Sequence, residues 1–285
     1  AKLAARCREL GIPVIHVHFL VHPGAPGLTL NAPLFEGVLD ETALVRGTWG
    51  GAAVDDLTPQ PGDHVVEIGT GWGGFALHAA QHYGCRVTTT TISREQYVKA
   101  RERVVAAGLE DRVTLLQDDF RDLGGQYDKL VSIEMIEAVD HAQLPTYFAK
   151  CAELLAPHGA MLIQAITMAD QRYEEYRKSV DFIRRYIFPG GNLPSTAVMA
   201  DCAARETDLR LLGLDDIGLH YAETLRRWRS AFSAQLEAVR RMGYPESFIR
   251  MWTFYLCYCE GAFLERAISD VLMLWTKPES RLRTI

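Results

Sequence analysis

The chain has 285 residues, of which 48% are hydrophobic and 23% are charged, and its mean hydropathy is -0.04. This is the composition of an ordinary globular protein, long enough for one large or two small hydrophobic cores. The net charge of -6 argues against nucleic acid as a partner, and no apolar run is long enough to span a bilayer. The six cysteines form no C-x-x-C pair, which favours reduced thiols in the cytoplasm over a zinc or other metal site.

A glycine-rich turn follows the first predicted strand. The strand runs into Glu67, and Gly69, Gly71 and Gly73 follow at alternate positions. Glycine lets the backbone bend sharply and approach a ligand without a Cβ in the way. The turn departs from the dinucleotide pattern because Gly73 and Gly74 are adjacent, and it lacks the lysine of a phosphate-binding loop. An acidic strand end before G-x-G suits the aminoacyl part of S-adenosylmethionine, although a plain strand-to-helix connection has the same pattern.

From residue 64 onward, strand and helix patterns alternate in a regular βαβ rhythm. Apolar, β-branched runs predict strands, and amphipathic runs that end at glycine predict helices. The rhythm predicts an α/β fold with a mostly parallel, doubly wound, Rossmann-like sheet covered by helices on both faces. The predicted strands are His64–Ile68, Arg86–Thr91, Val113–Leu116, Lys129–Ile133 and Ala160–Ile166, and the predicted helices are Phe75–Tyr83, Arg94–Ala107 and Pro145–Leu155.

The carboxyl ends of these strands predict where a ligand would bind. In open parallel sheets, ligands occupy the crevice outside the carboxyl ends of the strands. This rule brings five segments to one rim, namely Gly69–Gly74, Thr91–Gln96, Asp118–Arg121, Glu134–Glu137 and Gln164–Ile166.

The sequence after the fifth predicted strand is helical and aromatic. Helices are predicted over Arg172–Tyr186 and from about Ala222 into Met242, and Phe248–Leu274 is rich in Trp, Tyr and Phe. A helix that is apolar on more than one face is usually buried in a core. The alternative is that this segment builds an apolar tunnel over the rim for a long hydrocarbon substrate.

Several motifs together resemble those of the cyclopropane fatty acid synthase family. The most specific is Tyr-Ile-Phe-Pro-Gly-Gly-x-Leu-Pro-Ser, which lies within residues 181–195. The resemblance runs from about residue 61 to 277 and implies a class I methyltransferase dependent on S-adenosylmethionine. The other matching stretches are residues 66–74, 91–96, 132–139 and 248–256.

The resemblance implies a particular chemistry. In that family, the alkene of an unsaturated acyl chain attacks the sulfonium methyl group, a carbocation forms on the lipid, and loss of a proton completes the product. Such a site must exclude water, which would trap the cation, and must stabilise positive charge with aromatic faces and fixed dipoles. The base in the family is thought to be a bicarbonate ion held in the pocket.

The same resemblance assigns roles to individual residues. The cofactor-binding residues that it implies are Glu67, Gly69, Gly71 and Gly73 at the methionine end, Thr91, Ser93 and Gln96 near the ribose, and Asp119, Phe120 and Arg121 at the adenine edge. The catalytic residues that it implies are Glu137, Tyr221, Gln164 and Ile166 around the bicarbonate. Plainer interpretations also stand: Glu137 can be an acid at a helix start, and Tyr221 a half-buried structural tyrosine.

The pair Gln164 and Ile166 departs from the usual family pattern. Many members have His-x-Ile at this place, whereas plant-like and methyl-branching members resemble this chain. Glutamine can hydrogen-bond an ion but cannot carry its proton. The main hypothesis is therefore methyl or methylene transfer to the double bond of an unsaturated acyl chain, with ring closure or a branch as the product. Methylation of a small acceptor and a non-catalytic lipid- or cofactor-binding remnant are the alternatives.

The first 63 residues do not resemble that family. Residues 7–19, 44–51 and 56–67 instead resemble an internal piece of the isochorismatase-like cysteine hydrolases. The hydrolase site would need a lysine where Ile68 stands, so hydrolase activity is not expected. We therefore predict two parts in a fusion: a fragment without an intact site over residues 1–63, and a methyltransferase domain over 64–285 with helical substrate-binding elements at about 170–285. The usual N-terminal lid over the cofactor is not recognisable.

The resemblance also implies the partners. Unsaturated phospholipid acyl chains are the expected substrate, a homodimer is an expected assembly, and the expected location is the cytoplasm with peripheral contact at the inner membrane face. The net charge gives such contact no electrostatic help. It would depend on apolar residues or on a basic patch at Arg226, Arg227 and Arg229.

Overall fold

The computed structural model describes residues 62–282 of the chain. The fragment predicted for residues 1–63 therefore lies outside the described residues, except for its last two positions. Its resemblance to the hydrolases, the fusion and the altered lid stay predictions.

Seven strands of the described region form one sheet. They are β1 His64–Ile68, β2 Arg86–Thr90, β3 Val113–Leu116, β4 Tyr127–Ile133, β5 Leu155–Met168, β6 Arg210–Asp216 and β7 Ile268–Thr276. Their order across the sheet is β3-β2-β1-β4-β5-β7-β6. Strands β1 to β5 run parallel, and β7 lies antiparallel between β5 and β6. The predicted mostly parallel α/β sheet is confirmed.

Helices cover both faces of this sheet. They are α1 Gly74–Tyr83, α2 Arg94–Ala106, α3 Leu144–Leu154, α4 Asp170–Tyr176, α5 Thr196–Glu206, α6 Gly218–Ala234, α7 Leu236–Arg241 and α8 Glu246–Leu264. Successive residues of β1 point to opposite faces. Val65 packs in one core cluster with α1 and α2, and Val66 packs in another with α3 and α5. Burial on both faces explains why β1 is a continuous apolar run rather than an alternating one.

Two strands and one helix were not predicted. The aromatic segment was expected to stay helical to Leu274, but α8 ends at Leu264 and β7 follows. Arg266 has a φ of 52°, which breaks the helix between the two elements. Strand β7 is buried between neighbours, so it has no alternating pattern that would separate it from a buried helix. Strand β6 and helix α5 were missed as well.

Two of the predicted helices are interrupted. The helix expected over 172–186 divides into α4 and a π-helical turn at Ile183–Ile187. The guanidinium of Arg184 donates to the backbone carbonyls of Tyr176 and Ser179, which a continuing helix would have used itself. The helix expected from 222 to 242 divides at Gln235 into α6 and α7.

The aromatic helix α8 is not buried on every face. Its buried side chains are Ile249, Leu256 and Phe263, spaced seven residues apart and packed against α6. The other face leaves Phe254 52% and Tyr258 40% exposed. Helices α6 and α8 thus form a separate apolar cluster that contacts Ile166 near the end of β5.

Candidate active site

The glycine turn is held in a conformation that its glycines make possible. Gly69, Gly71 and Gly73 have φ values of 101°, 50° and 82°, in the left-handed region that side chains disfavour. The N–H groups of Gly69 and Thr70 both donate to the carbonyl of Thr90, at 3.1 and 2.9 Å. The turn is therefore fastened to the end of β2, and Gly73 leads directly into α1.

Glu67 lies beneath this turn with only 3% of its surface exposed. Its carboxylate accepts a hydrogen bond from the hydroxyl of Thr89 at 2.7 Å, and that hydroxyl lies 2.6 Å from the hydroxyl of Thr70. Burial raises the pKa of Glu67 from 4.5 to about 8, and the Thr89 bond offsets part of that shift. A neutral acid is thus held at a strand end, where a ligand cation would favour its ionisation.

The predicted ribose residues meet at the turn between β2 and α2. The Thr91 hydroxyl donates to Oε1 of Gln96 at 2.8 Å and accepts from the backbone N–H of Ser93 at 3.2 Å. Ser93 is the N-cap of α2, because its hydroxyl accepts from the N–H of Gln96. The three residues fix one another and leave the amide nitrogen of Gln96 available to a ligand.

The predicted adenine residues lie together after β3. Asp119 and Arg121 form a bidentate pair, with Nε–Oδ1 and Nη2–Oδ2 distances of 2.8 and 2.7 Å. The hydrogen bonds from Arg121 keep the pKa of Asp119 below its usual range. The ring of Phe120 between them packs edge-on against Tyr147, at 5.5 Å between centroids.

A hydrogen-bonded set of acids and donors lies at the ends of β4 and β5. The Tyr221 hydroxyl, from α6, donates to Oε2 of Glu134 at 2.9 Å. The amide nitrogen of Gln164, from β5, donates to Oε1 of Glu134 at 2.9 Å and to Oδ2 of Asp270 at 2.7 Å. Gln164 and Asp270 are 3% and 0% exposed, so these bonds lie in the protein interior.

Glu137 belongs to the same region but has a different partner. One of its carboxylate oxygens accepts from the backbone N–H of Ile166 at 2.6 Å, while the other is buried without a partner in the described structure. Burial and the neighbouring Glu134 raise the pKa of Glu137 to about 8. The predicted meeting of Glu137, Gln164 and Ile166 is observed, and Tyr221 joins them through Glu134.

Burial also raises the pKa of the other two acids of this set. The pKa of Glu134 rises to about 7, opposed by the hydrogen bond from Tyr221, and that of Asp270 rises to about 8, with repulsion from Glu134 as a second cause. No Lys or Arg within residues 62–282 forms an ion pair with these acids. Nor do the described His, Cys, Asp and Glu side chains group into an arrangement that could hold a metal ion. The hydrogen bonds to these acids in the described structure therefore come from neutral donors, and repulsion among the acids disfavours ionising all three together.

The glycine turn and the acid set are parts of one site. A Cβ placed on Gly69 would lie 3.0 Å from Cγ of Met135, which follows Glu134 in the chain. The turn that would hold the cofactor therefore contacts the segment that carries two of the acids. The sheet rule predicted this juxtaposition from the sequence alone.

No motif of the sequence points to Glu134 or Asp270. Glu134 lies in the predicted rim segment, and only its contacts show that both Tyr221 and Gln164 bind to it. Asp270 lies on β7, in a segment whose pattern predicts a helix. A single acid inside the apolar run of residues 268–276 was the available signal, since buried carboxyl groups are rare without a functional or structural partner.

The predicted basic patch is largely neutralised. Arg226 and Arg227 both pair with Glu223, at 2.6 and 2.9 Å, and Arg229 pairs with Glu260 at 2.8 Å. Such pairing leaves little local positive charge for an anionic surface.

The sheet order and the glycine turn define the class I methyltransferase fold. Solved structures of cyclopropane synthases share it. A cyclopropane synthase, MmaA2 from Mycobacterium tuberculosis, is 23% identical, with a TM-score of 0.71 and coverage of 78% of this chain and 80% of that one. A mycolic acid cyclopropane synthase, CmaA1, complexed with SAH and CTAB, is 25% identical with the same TM-score and coverage.

The family follows from the sequence comparison. The family model described as mycolic acid cyclopropane synthetase matches residues 51–273, and the chain belongs to this family. The resemblance drawn from the motifs is thereby confirmed.

Three curated relatives show the range of activities named in the family. The tuberculostearic acid methyltransferase UfaA1 of Mycobacterium tuberculosis is 46% identical over 204 residues, which cover 72% of this chain and 48% of that protein. A probable fatty acid methyltransferase of Pseudomonas putida is 37% identical, over 76% of this chain and 55% of that protein. The cyclopropane-fatty-acyl-phospholipid synthase of Escherichia coli K12 is also 37% identical, over 80% and 56%. The chain spans about half the length of these relatives.

Proposed function

We propose that this chain transfers a methyl group from S-adenosylmethionine to the double bond of an unsaturated fatty acyl chain. The observation that carries the proposal is the position of the glycine turn against Met135, between Glu134 and Glu137 in the chain, beside the apolar cluster of α6 and α8. Family membership and the fatty acid methyltransferases among the relatives support the same reaction.

The described residues fit S-adenosylmethionine. Gly71 faces open space where the methionine end would lie, and the N-terminus of α1 favours its carboxylate. The buried carboxyl of Glu67 would take its ammonium group, the residues around Thr91 its ribose, and the segment 119–121 its adenine. When bound, the cofactor supplies an electrophilic methyl group attached to a positive sulfur.

The helical cluster fits the acyl chain. The ring of Tyr221 stacks on Phe263 at 4.7 Å and meets Trp228 edge-on at 6.3 Å. Tyr255 contacts Phe188 and Trp252 in the same region. Aromatic faces exclude water from a reacting alkene and stabilise a cation on it. The partly buried acids would add negative charge close to that cation.

The described residues do not fit the bicarbonate ion that the resemblance implies. An added anion would need hydrogen-bond donors, yet the donors of Tyr221, Gln164 and Ile166 already serve carboxyl groups of this chain. A further negative charge among three acids would also raise their repulsion. We therefore assign no step to bicarbonate.

We propose that any contact with a membrane is apolar rather than basic. Phe182 packs against Phe254 at 4.8 Å, and Tyr186, Phe254 and Tyr258 are each at least 40% exposed on the same surface. No helix among residues 62–282 is long and apolar enough to cross a bilayer. Replacing Phe254 and Tyr258 by serine should weaken co-sedimentation with vesicles more than replacing Arg226 and Arg227 by glutamine. The reverse order would contradict this proposal. The homodimer and the cytoplasmic location stay predictions.

One experiment tests the reaction itself. The chain is incubated with S-adenosylmethionine and vesicles of mono-unsaturated phospholipid, and the released fatty acids are analysed by mass spectrometry. An acid one CH2 heavier is expected, and its fragmentation separates a ring from a branch. A reaction without S-adenosylmethionine is the control. If calorimetry shows cofactor binding but no heavier acid forms, the proposed reaction on phospholipid is wrong.

A further inference from the structure

Glu134 has a backbone conformation that a side chain rarely adopts. Its φ is 47°, and within residues 62–282 only Arg266 shares a positive φ among non-glycine residues. A left-handed residue costs about 1–2 kcal/mol, so it persists only where its surroundings fix it. Here the Glu134 N–H donates to the carbonyl of Gln164 at 3.0 Å. Strain of this kind is concentrated at functional sites.

Both carboxylate oxygens of Glu134 are oriented by neutral donors. Gln164 binds one oxygen and Tyr221 binds the other, each at 2.9 Å. The stack on Phe263 fixes the ring of Tyr221, and burial fixes Gln164. Each oxygen keeps a second lone pair, so the carboxylate can still accept a proton.

Two acids and two tyrosines face the Glu134 carboxylate. Glu137 faces it from the same segment, Asp270 from β7, Tyr221 from α6 and Tyr255 from α8. Burial raises the pKa of Glu134 to about 7, and the hydrogen bond from Tyr221 opposes that rise. A base whose pKa lies near the working pH is the most effective one.

Resting on the function proposed above, we infer that the Glu134 carboxylate is the base that removes the proton from the methylated acyl chain. It takes the role that the family resemblance assigns to bicarbonate. The alkene π electrons form the bond to the incoming methyl carbon, and the electrons of the broken C–S bond leave with sulfur. Glu134 then accepts a proton from the new methyl group or an adjacent carbon. The released C–H electron pair closes a ring or forms a double bond, and the carboxylic acid later returns its proton to water.

Two substitutions at Glu134 separate a base from a structural tether. Glu134→Gln keeps the size of the side chain and fills the same space without a basic oxygen. Glu134→Gly suits the positive φ and frees the donors of Tyr221 and Gln164, which then form a site for a small anion. The exposed Glu110, which precedes β3 at the opposite edge of the sheet, provides Glu110→Gln as a matched control.

The vesicle assay is run in buffer freed of carbon dioxide, with and without added bicarbonate or formate. We expect wild-type turnover to be independent of added bicarbonate and to fall as the pH drops below about 7. Glu134→Gln should lower kcat at least about 100-fold with unchanged affinity for S-adenosylmethionine and no rescue. Glu134→Gly should be equally slow, and its turnover should be partly restored by bicarbonate or formate. Glu110→Gln should match wild type.

Two results would overturn the assignment while leaving the proposed function standing. One is a Glu134→Gln variant that turns over like wild type, and the other is wild-type turnover that requires bicarbonate. If the wild-type chain binds S-adenosylmethionine and forms no heavier acid, the proposed function itself fails and the role of Glu134 falls with it.

Discussion

The buried acid beneath the glycine turn leads to a quantitative prediction about stability. Glu67 is 3% exposed, and the folded protein holds its pKa at about 8, against an ordinary value of 4.5. Between these values the unfolded chain loses the proton and the folded chain keeps it. The contribution of Glu67 to stability is therefore intact below about pH 4.5 and is lost as the pH rises towards 8.

Glu67→Gln removes this dependence while keeping an acceptor for Thr89. Between pH 4.5 and pH 8, the wild-type free energy of unfolding falls by about 1.4 kcal/mol for each pH unit because of Glu67. Relative to wild type, the free energy of unfolding of the variant should therefore rise by about 2–3 kcal/mol between pH 5 and pH 7. The unpaired amide N–H of the glutamine adds a constant cost of about 1 kcal/mol, which cancels in that difference. In exchange, the variant should bind S-adenosylmethionine more weakly, because a carboxylate partner for its ammonium group is gone.

Urea unfolding of both proteins without ligand, at pH 5 and pH 7, measures this difference. Glu110→Gln, at an exposed position, should leave the free energy of unfolding unchanged at both pH values. If the free energies of unfolding of Glu67→Gln and wild type differ by the same amount at pH 5 and pH 7, Glu67 has an ordinary pKa in the folded protein. Burial would then not raise the pKa of Glu67.

Three further predictions concern the site. Tyr221→Phe removes a hydrogen-bond donor to Glu134 and should lower kcat at least about 10-fold. Calorimetry should show an unchanged affinity for S-adenosylmethionine, and a wild-type kcat would contradict the role of Tyr221. Glu137→Gln replaces the carboxyl group that accepts from the Ile166 N–H and should likewise slow turnover without weakening cofactor binding. Full activity would reduce Glu137 to a structural acid. Gly73→Ala forces a side chain onto a φ of 82° and places its Cβ 3.2 Å from Cβ of Ala100. This substitution should lower the free energy of unfolding by about 1–2 kcal/mol and weaken cofactor binding. A variant that unfolds at the same temperature as wild type would contradict the predicted backbone strain.

The parallel half of the fold could be predicted because its signals are local. Apolar runs such as that of β1, and glycines such as Gly84 and Gly108 after α1 and α2, mark the elements within the chain itself. Their order then implies a parallel sheet, and the sheet implies the rim. The candidate cofactor residues follow because they occupy turns directly after strands.

The C-terminal half could not be predicted in the same way. Strand β7 lies between β5 and β6 and is buried from Asp270 to Thr276. Its apolar residues therefore follow neither the two-residue period of a half-exposed strand nor the period of a surface helix. The break between α4 and the π-helical turn depends on the reach of Arg184 to carbonyls several residues away. Tertiary contacts of this kind leave no local pattern.

The sequence by itself determined the family, the parallel sheet and the positions of most candidate site residues, because short motifs and strand ends carry that information. Only the tertiary structure decided which acid Tyr221 and Gln164 serve. The hydrogen bond from Tyr221 to Glu134 joins residues 87 positions apart in the chain, and the one from Gln164 to Glu134 joins residues 30 positions apart. The hydrogen bond from Gln164 to Asp270 joins residues 106 positions apart. The ionisation of these acids depends on burial and on one another, and both are properties of the folded arrangement rather than of any segment.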